Sequence, residues 1–445
     1  MQNVERGLDL KNLIARLQEI EPVARIGRVT QVQGTTVSVS GLSHLASVGD
    51  RVRILCRGGG VVEGEVLNLL SDHIVVYPDG STHGVIINDR VQHLGSVTIS
   101  PDFSWLGRIV DPDGRPLDGQ PLMPGTRKLP LFGSPPAAAK RRGLGERLET
   151  GMCVFNTLLP LAKGQRLGLF AGSGVGKSTL LSQFARSVKA DVIVIALVGE
   201  RGRELREFVE NVLGAKGMER AVVVAATSDQ SAFVRRRCAW AAMSISEYFR
   251  DAGAQVLTLV DSVTRFAEAH REIALSSGEP PSLGGYPPSV AQMIMSLAER
   301  AGPGTGDAGD ITAIFSVLVA GSDMEEPIAD ILRGTLDGHI VLDRAIAERG
   351  RFPAVDLLRS VSRSLPQAAS DTENTLLAEF RALLGVYDRA EMMLQAGLYT
   401  TGSDPEIDRA AALWSEMDTF MTLEEPLDSA QSFKRLHCIL TTETA

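Results

Sequence analysis

The spacing of hydrophobic residues changes several times along the chain, and the first pattern is helical. Apolar residues recur at helical spacing in residues 8–20, at Leu10, Leu13, Ile14 and Leu17. This spacing predicts an amphipathic helix that ends before Pro22. A helix of about 13 residues is marginal on its own. Residues 1–21 are therefore expected either to pack on their own domain or to dock on a partner protein or a membrane surface.

Residues 22–100 follow a β-type pattern. Short apolar runs alternate with glycine-containing turns at the spacing of hairpins. Strands are predicted around Val37 and Val39 and at residues 52–55, 61–67, 73–77, 85–87 and 97–99. The region is expected to form a small all-β barrel or sandwich, a module that serves assembly more often than catalysis.

The remainder of the chain has the pattern of an α/β domain followed by helices. After a connection rich in proline and glycine, apolar strands alternate with helical segments, which predicts a mostly parallel sheet of βαβ units. The strands are expected at residues 167–170, 192–198, 221–225, 256–260 and 311–319. From about Asp371 onward the strand pattern is absent, and residues 375–395 and 407–421 predict amphipathic helices of a C-terminal helical domain.

Composition narrows the class of protein. Lys and Arg number 45 and Asp and Glu 54, giving a formal charge of −9, which argues against non-specific binding of nucleic acid. No apolar run approaches the ~18 residues of a membrane span, so a cytosolic protein is expected. The four cysteines form no C-x-x-C pair and the histidines no H-x-x-x-H pair, so the sequence offers no zinc site.

The strongest chemical motif lies between the first predicted strand of the α/β region and the helix after it. It supplies glycines, a lysine and a hydroxyl in the order of a P-loop, although Ala171 replaces the usual first glycine. Such a loop turns backbone N–H groups toward phosphates. The alternative is a chance glycine-rich turn. The predicted ATP-binding residues are Gly172, Ser173, Gly174, Val175, Gly176, Lys177, Ser178 and Thr179.

Two acidic residues are predicted at the same edge of the sheet. Asp261 ends the strand at 256–260 and, with the Ser178 hydroxyl, is the candidate ligand for Mg²⁺. Glu200 follows the strand at 192–198 and is the candidate for orienting the attacking water. Asp261 could instead be structural, and Glu200 a solvated loop acid. The P-loop, Asp261 and Glu200 are expected at the same edge of one sheet, and this combination favours an ATPase site.

With these residues in place, the sequence resembles the catalytic subunits of rotary ATP synthases and their export relatives over essentially the whole chain. Besides the P-loop, the shared motifs are G-E-R-G-R-E at 199–204, D-S-V-T-R-F at 261–266, G-Y-P-P-S at 285–289, L-D-G-H-I at 336–340, P-A-V-D at 353–356 and S-V-S-R at 360–363. The last four are most similar to type III export ATPases. The segment D-M-E-E-P-I-A at 323–329 is more similar to the flagellar branch than to the injectisome branch.

The resemblance implies a fold and a division of the chain. The fold is an α/β P-loop NTPase core, RecA-like with a mostly parallel sheet, flanked by an N-terminal all-β barrel domain and a C-terminal helical domain. The expected regions are residues 1–21 for docking, 22–100 for the barrel, 101–370 for the ATPase domain and 371–445 for the helical domain.

The resemblance also implies roles for individual side chains. Glu200 is similar to the family's catalytic carboxylate, Arg201 to its neighbouring arginine and Arg265 to an active-site arginine. Arg363 is similar to an arginine finger that each subunit presents to the nucleotide of the next, so that catalysis requires a homohexamer. The alternative for Arg363 is an intramolecular salt bridge.

The same comparison assigns two aromatic rings to the adenine. Phe352 occupies the position of a synthase tyrosine, and Tyr399 is a weaker match for the second ring. A phenylalanine keeps the π face that stacking uses.

For activity and partners, the resemblance implies an ATPase of flagellar type III protein export with ATP and Mg²⁺ as cofactors. Expected partners are a regulatory stator protein, a central stalk protein, export chaperones, unfolded flagellar substrates and a membrane export gate. The expected location is cytoplasmic and peripheral to the inner membrane at the flagellar base. The alternatives are an injectisome ATPase, a non-catalytic nucleotide-binding ring subunit, which lacks the carboxylate of Glu200, and a hexameric RNA translocase, which the acidic charge disfavours.

Two local features complete the sequence-based expectations. Gly284 replaces the arginine that export ATPases usually carry before G-Y-P-P-S, which affects the expected stalk contacts more than ATP chemistry. The cluster of Arg235, Arg236 and Arg237 lies in a predicted helix. A solvated helix face is expected there in preference to a partner site.

Overall fold

A computed structural model describes residues 23–319 and 324–441 of the protein. The predicted helix in residues 8–20 lies outside the described residues. The strands are β1 Ile26–Gln33, β2 Thr36–Ser40, β3 Arg51–Leu55, β4 Val61–Leu69, β5 His73–Pro78, β6 Arg90–Gly95, β7 Thr98–Ile99, β8 Ile109–Val110, β9 Leu129–Pro130, β10 Arg166–Ala171, β11 Val192–Glu200, β12 Ala221–Thr227, β13 Val256–Asp261, β14 Ile311–Leu318, β15 Gly338–Leu342 and β16 Val355–Ser362.

The helices lie after the barrel and between the later strands. They are α1 Cys153–Asn156, α2 Lys177–Ser187, α3 Gly202–Glu207, α4 Gly214–Met218, α5 Ala232–Asp251, α6 Val263–Ser276, α7 Ser289–Arg300, α8 Pro327–Thr335, α9 Arg344–Glu348, α10 Asp371–Gln395, α11 Pro405–Phe420 and α12 Ser429–Thr441. A π-helical segment, Phe208–Leu213, joins α3 to α4. Within the described ranges, no helix is both long and apolar enough to span a bilayer.

Strands β1 to β6 close into a barrel in the order β1-β2-β5-β4-β3-β6. Its interior is filled by valines and isoleucines from alternating strand positions, including Val37, Val39 and Ile54, none of which is exposed. The strand predicted at residues 85–87 is wrong. Those residues lie in turns, with Asn88 in the left-handed region at φ 78°, and β6 is the strand that pairs with β1 and β3.

The central sheet has eight strands in the order β16-β15-β10-β14-β13-β11-β12-β8. All neighbouring strands are parallel except β15 and β16, so the predicted mostly parallel sheet is confirmed. Helices cover both faces and bury the apolar strands, as expected of a doubly covered sheet. This topology places the ends of β10, β13 and β11 at one edge.

The C-terminal region is helical, as predicted, and two of its helices begin earlier than the apolar pattern indicates. Ser370 and Glu373 form a reciprocal capping box at the start of α10, and Asp404 caps α11 before Pro405. Polar caps precede the first buried apolar residue of a helix. The apolar period alone therefore places the start of each helix too late.

The arginine cluster on α5 is not a solvated face. Arg236 and Arg237 are 6% and 0% exposed, and both bind the Glu65 carboxylate of the barrel, at 2.9 Å and 3.0 Å. Arg237 also contacts Asp79 at 3.0 Å. The expectation failed because the acidic partners lie more than 150 residues away in sequence, on the barrel strands that pack against α5.

Candidate ATP-hydrolysis site

The P-loop lies between β10 and α2, as the motif predicts. Gly174 and Gly176 adopt φ values of 79° and 90°, which only glycine adopts readily, and α2 begins at Lys177. A Cβ atom on Gly176 would lie 3.3 Å from Cδ1 of Phe352. The loop is therefore shaped to present its N–H groups and the amino end of α2 to a phosphate.

Lys177 and Asp261 meet at the edge of the sheet. The Lys177 ammonium group donates a hydrogen bond to Oδ1 of Asp261, which also accepts one from the Ser316 hydroxyl at 2.8 Å. Asp261 is 5% exposed. Ser316, on β14, was not predicted, because only the register of β14 against its neighbours places its hydroxyl next to the aspartate.

A cavity of about 1340 Å³ opens over this edge. Predicted residues in its lining are Gly172, Ser173, Gly174, Val175, Gly176, Lys177, Ser178, Thr179, Glu200, Arg201 and Arg265. The P-loop and Glu200 thus border one space, together with residues of α6 and of the loop before α7. This cavity has room for a nucleotide.

Glu200 is largely buried, with 14% of its side chain exposed. Burial raises its pKa to about 7, helped by a hydrogen bond to Glu204 and the charge of Asp261, while Arg265 and Lys177 oppose the rise. The pKa of Glu204 is lowered by the same hydrogen bond. Glu204 was not predicted, although the second glutamate of G-E-R-G-R-E could have indicated it.

The two predicted arginines near Glu200 differ in their surroundings. Arg265 places Nε 3.2 Å from Oε1 of Glu200 and donates from Nη1 to the carbonyl oxygen of Gly199 at 2.8 Å. Arg201 is largely exposed and lies 3.7 Å from Glu204. Arg265 is thus held in the site, whereas the guanidinium of Arg201 is open to solvent.

Arg363 lies at the amino ends of the parallel strands, opposite to the carboxyl ends that carry the P-loop. It follows the end of β16, whose Ser362 pairs with Gly338 at the start of β15. Measured along β10, the amino and carboxyl ends of the parallel strands are about 13 Å apart, at ~3.3 Å per residue. Arg363 is exposed and makes a long contact of 3.5 Å to the Arg333 carbonyl oxygen, so it does not reach the nucleotide cavity of its own chain.

The two predicted adenine-binding rings lie in different settings. Phe352 is 49% exposed and lies against Gly176 of the P-loop. The Tyr399 hydroxyl lies 3.0 Å from both the Asp404 carbonyl oxygen and Oδ1 of Asp408, two alternative acceptors for its hydrogen, within the C-terminal helical region. Neither ring is in the lining of the cavity. Phe352 borders the P-loop, whereas Tyr399 is tied to the cap of α11.

A second acidic cluster lies away from this site. Glu63, Asp79 and Asp113 are close enough together to hold a cation. Arg51 lies 3.0 Å from Glu63, 2.6 Å from Asp79 and 3.7 Å from Asp113. Guanidinium groups already supply the positive charge there, so the cluster belongs to the junction of the barrel and the sheet.

Comparison with known proteins places this geometry in a family. The ATP synthase alpha/beta family, nucleotide-binding domain, matches residues 151–362, and the T3SS EscN ATPase C-terminal domain matches residues 369–437. The flagellum-specific ATP synthase of Caulobacter vibrioides is 44% identical, covering 98% of this chain and 100% of that protein. The type 3 secretion system ATPase of Sinorhizobium fredii is 42% identical, covering 90% of this chain and 88% of that protein.

Solved structures agree with the sequence relatives. The assembled ATPase EscN of the enteropathogenic E. coli type III secretion system has a TM-score of 0.85 at 35% identity, covering 93% of this chain and 100% of that chain. EscN in complex with its central stalk EscO has a TM-score of 0.84 at the same identity and coverage. The chain belongs to the ATP synthase alpha/beta family, in the group of flagellum-specific and type III secretion ATPases. The predicted resemblance and the α/β P-loop fold are confirmed.

Proposed function

We propose that the protein is the ATPase of a flagellar type III export apparatus, in which ATP hydrolysis promotes chaperone release and export of unfolded flagellar subunits. The observation that carries the proposal is that the P-loop and Glu200 line one cavity and that Asp261 binds Lys177 of the same lining. The segment at 323–329 and the flagellum-specific relative support the flagellar branch. We divide the chain into docking residues 1–21, a barrel domain 22–100, an ATPase domain 101–370 and a helical domain 371–445.

The site suits ATP with Mg²⁺. Lys177 and the P-loop N–H groups would bind the phosphates, and the Ser178 hydroxyl and Asp261 carboxylate would hold Mg²⁺, which prefers oxygen ligands. The buried Asp261 carboxylate, which already attracts the Lys177 ammonium group, is suited to a cation. The metal would neutralise charge on the phosphate oxygens. Phe352, beside the P-loop, would stack on the adenine, with Tyr399 as the second ring.

Glu200 would orient and polarise the attacking water. A carboxyl group with a pKa of about 7 is poised to accept a proton near neutral pH. Arg265 fixes the carboxylate through the contact at 3.2 Å, and Arg201 would reach the site from its exposed position. These groups supply positioning and charge stabilisation, which carry most of the catalysis of phosphoryl transfer.

Arg363 would complete the site of a neighbouring subunit in a homohexamer. Its place at the far edge of the sheet supports a role in trans, because a guanidinium there cannot serve its own nucleotide. The relative EscN forms a complex with its central stalk EscO, and we propose an equivalent stalk for this chain.

Further proposed partners are a stator protein, export chaperones and the membrane export gate. The protein would be cytoplasmic and peripheral to the inner membrane at the flagellar base, with residues 1–21 as the docking segment.

The test is complementation of a strain that lacks the gene. Wild-type protein should restore secretion of hook and filament subunits, and Lys177→Ala should not. Lys189→Ala, which removes an exposed lysine just beyond α2, is the matched control and should complement. Normal flagellar secretion in the deletion strain would refute the proposal. Loss of effector secretion in place of flagellar secretion would assign the protein to an injectisome.

A further inference from the structure

A chain of hydrogen bonds connects the barrel to the loop of residues 279–289, which precedes and includes the start of α7. Arg236 on α5 donates from Nη2 to Glu65 of the barrel at 2.9 Å and from Nη1 to Nδ1 of His270 at 3.1 Å. Nε2 of His270, on α6, lies 2.9 Å from the Ser289 hydroxyl. That hydroxyl donates to Glu279 at 2.5 Å. Four links thus run from one carboxylate to another.

The direction of each link follows from the donors present. A guanidinium can only donate, so Nδ1 of His270 must accept and the ring proton must be on Nε2. Nε2 therefore donates to the Ser289 oxygen, which leaves the serine hydroxyl hydrogen for the Glu279 carboxylate. Every hydrogen bond in the chain has one donor and one acceptor. A neutral histidine is the only protonation state that makes all of them.

The inner end of the chain is fixed in place. Arg236 is flanked by the rings of Phe233 and Trp240, at 4.7 Å and 4.8 Å from its guanidinium carbon. His270 is 5% exposed. Burial and then the charge of Arg236 lower the pKa of His270 to about 4, against the opposing effect of Glu279, so the ring stays neutral at physiological pH.

The outer end of the chain lies in a loop that reaches the nucleotide cavity. Gly284 and Tyr286, both within the loop, line the cavity, and so does Arg271, which follows His270 and lies 5.2 Å from the Tyr286 ring. Gly284 has φ 61°, and a Cβ there would lie 2.7 Å from Cγ of Pro327 at the start of α8. The loop therefore packs closely against Pro327 and forms part of the cavity wall. Its position depends on the hydrogen bonds that attach it to α6 and the barrel.

We infer that His270 is a positioning residue, which ties the 279–289 loop to the barrel through Arg236 and Ser289 and so fixes one wall of the nucleotide cavity. The chemical requirement is a side chain that accepts from a guanidinium at one end and donates to a hydroxyl at the other. Glutamine meets this requirement with its carbonyl oxygen and amide nitrogen, whereas alanine meets neither part. The kinetic part of the inference rests on the proposed ATPase activity.

The first experiment measures amide hydrogen exchange in the nucleotide-free protein, which does not depend on catalysis. The amides of Ser282, Gly285, Ser289 and Val290 are hydrogen-bonded within the loop. In His270→Ala these amides should exchange about fivefold faster or more, the effect of one lost hydrogen bond on a local opening equilibrium. His270→Gln should restore wild-type exchange. Unchanged protection in His270→Ala would overturn the inference.

The matched control is His93, another buried histidine, whose Nε2 lies 2.8 Å from Asp50 within the barrel. His93→Ala removes a similar contact and should leave loop exchange unchanged. Equal acceleration in both variants would indicate general destabilisation and overturn the positioning role. If His270→Ala does not fold, Ser289→Ala, which breaks the same chain at the loop, replaces it in the comparison.

The second experiment measures kcat and KM for ATP separately and asks which of the two the substitution changes. The four hydrogen bonds of the chain include no P-loop residue. KM should therefore stay within about twofold while kcat falls about fivefold in His270→Ala and recovers in His270→Gln. A wild-type protein without ATPase activity would refute the proposed function, while the exchange experiment would still decide the role of His270. A rise in KM with unchanged kcat would overturn the proposed effect on the cavity wall.

Discussion

Arg265 and Glu200 form an ion pair inside the nucleotide cavity, with Nε of the arginine 3.2 Å from Oε1 of the glutamate. Nε of Arg265 is buried and has no hydrogen-bond acceptor of good geometry among the described residues, while Nη1 is held by Gly199. The arginine therefore needs an oxygen at the position of the Glu200 carboxylate. A substitution that keeps such an oxygen tests the charge without removing the contact.

The first prediction concerns Glu200→Gln. The amide keeps an oxygen near Arg265 but cannot accept a proton from water, so kcat should fall about 10²- to 10⁴-fold while ATP binding persists. Steady-state hydrolysis and equilibrium binding of a fluorescent ATP analogue measure the two effects. Glu207→Gln, at an exposed position on α3, is the control and should retain activity. Hydrolysis at the wild-type rate by Glu200→Gln would refute the role of the carboxylate.

The second prediction concerns the pH dependence of hydrolysis. Because Glu200 acts unprotonated and its pKa is about 7, kcat should rise with pH through an apparent pKa near that value. Glu204→Gln removes the carboxylate that favours the protonated form of Glu200. The acidic limb of the profile should therefore move to lower pH. An unchanged profile would show that the two acids do not interact.

The same pKa has a consequence for stability. Between the ordinary pKa of 4.5 and about 7, the folded protein binds more protons at Glu200 than the unfolded chain does. The contribution of this group to the free energy of unfolding therefore falls as pH rises through that window. Glu200→Gln should thus raise the melting temperature more at pH 8 than at pH 5. The reverse order would contradict the raised pKa.

Sequence reasoning located most of the candidate site because its parts are local. The P-loop follows a strongly apolar strand, Asp261 and Glu200 each end one, and the carboxyl ends of parallel strands share an edge. Sequence reasoning missed Ser316, whose contact depends on strand register, and His270, whose contacts depend on packing between helices that are distant in sequence. It also misjudged Arg236 and Arg237. A charged run looks alike in sequence whether it faces water or a buried carboxylate.

The third prediction tests Arg363 in trans. Arg363→Ala should lose about 10³-fold or more of its activity, as expected for an arginine finger. Arg359→Ala, at an exposed position on β16, the strand that Arg363 follows, is the control and should retain activity. In a ring, a subunit with Arg363→Ala can still hydrolyse ATP when its neighbour supplies Arg363.

Mixing two inactive variants separates a trans role from a cis role. Arg363→Ala subunits mixed with Glu200→Gln subunits should regain activity, because some interfaces then combine an intact Glu200 with an intact Arg363. The measurement is ATPase activity across mixing ratios at a fixed total concentration. Absence of any recovery, with mixed assembly verified by a tag on one variant, would place the arginine in its own subunit's site.

The fourth prediction concerns Phe352, which is half exposed and lies against Gly176. Stacking of a base on an aromatic ring contributes ~1–3 kcal/mol, so Phe352→Ala should raise the Kd for ATP about tenfold. Phe352→Tyr keeps the ring and should bind ATP as the wild type does. Inorganic triphosphate, which has no base, should bind both variants equally. A similar loss for triphosphate would show that the ring acts by shaping the P-loop instead.

The fifth prediction concerns the buried charges between the barrel and α5. Arg237 has no exposed surface and contacts Glu65 at 3.0 Å and Asp79 at 3.0 Å. Arg237→Ala leaves these carboxylates short of positive charge in a site closed to water. Removing one partner of a buried ion pair typically costs about 3–5 kcal/mol. Arg206→Ala, which breaks an exposed pair with Glu210 on the helix surface, should cost at most ~0.5 kcal/mol.

Chemical denaturation of both variants measures the difference in the free energy of unfolding. Glu65→Gln, which removes the shared carboxylate instead of the arginine, should also destabilise the protein, because it leaves two guanidinium groups without their common partner. Equal and small effects of Arg237→Ala and Arg206→Ala would mean that water reaches the junction. The barrel would then be held to α5 by the apolar contacts around Phe233 and Tyr77, whose ring centroids are 5.2 Å apart, and not by the charges.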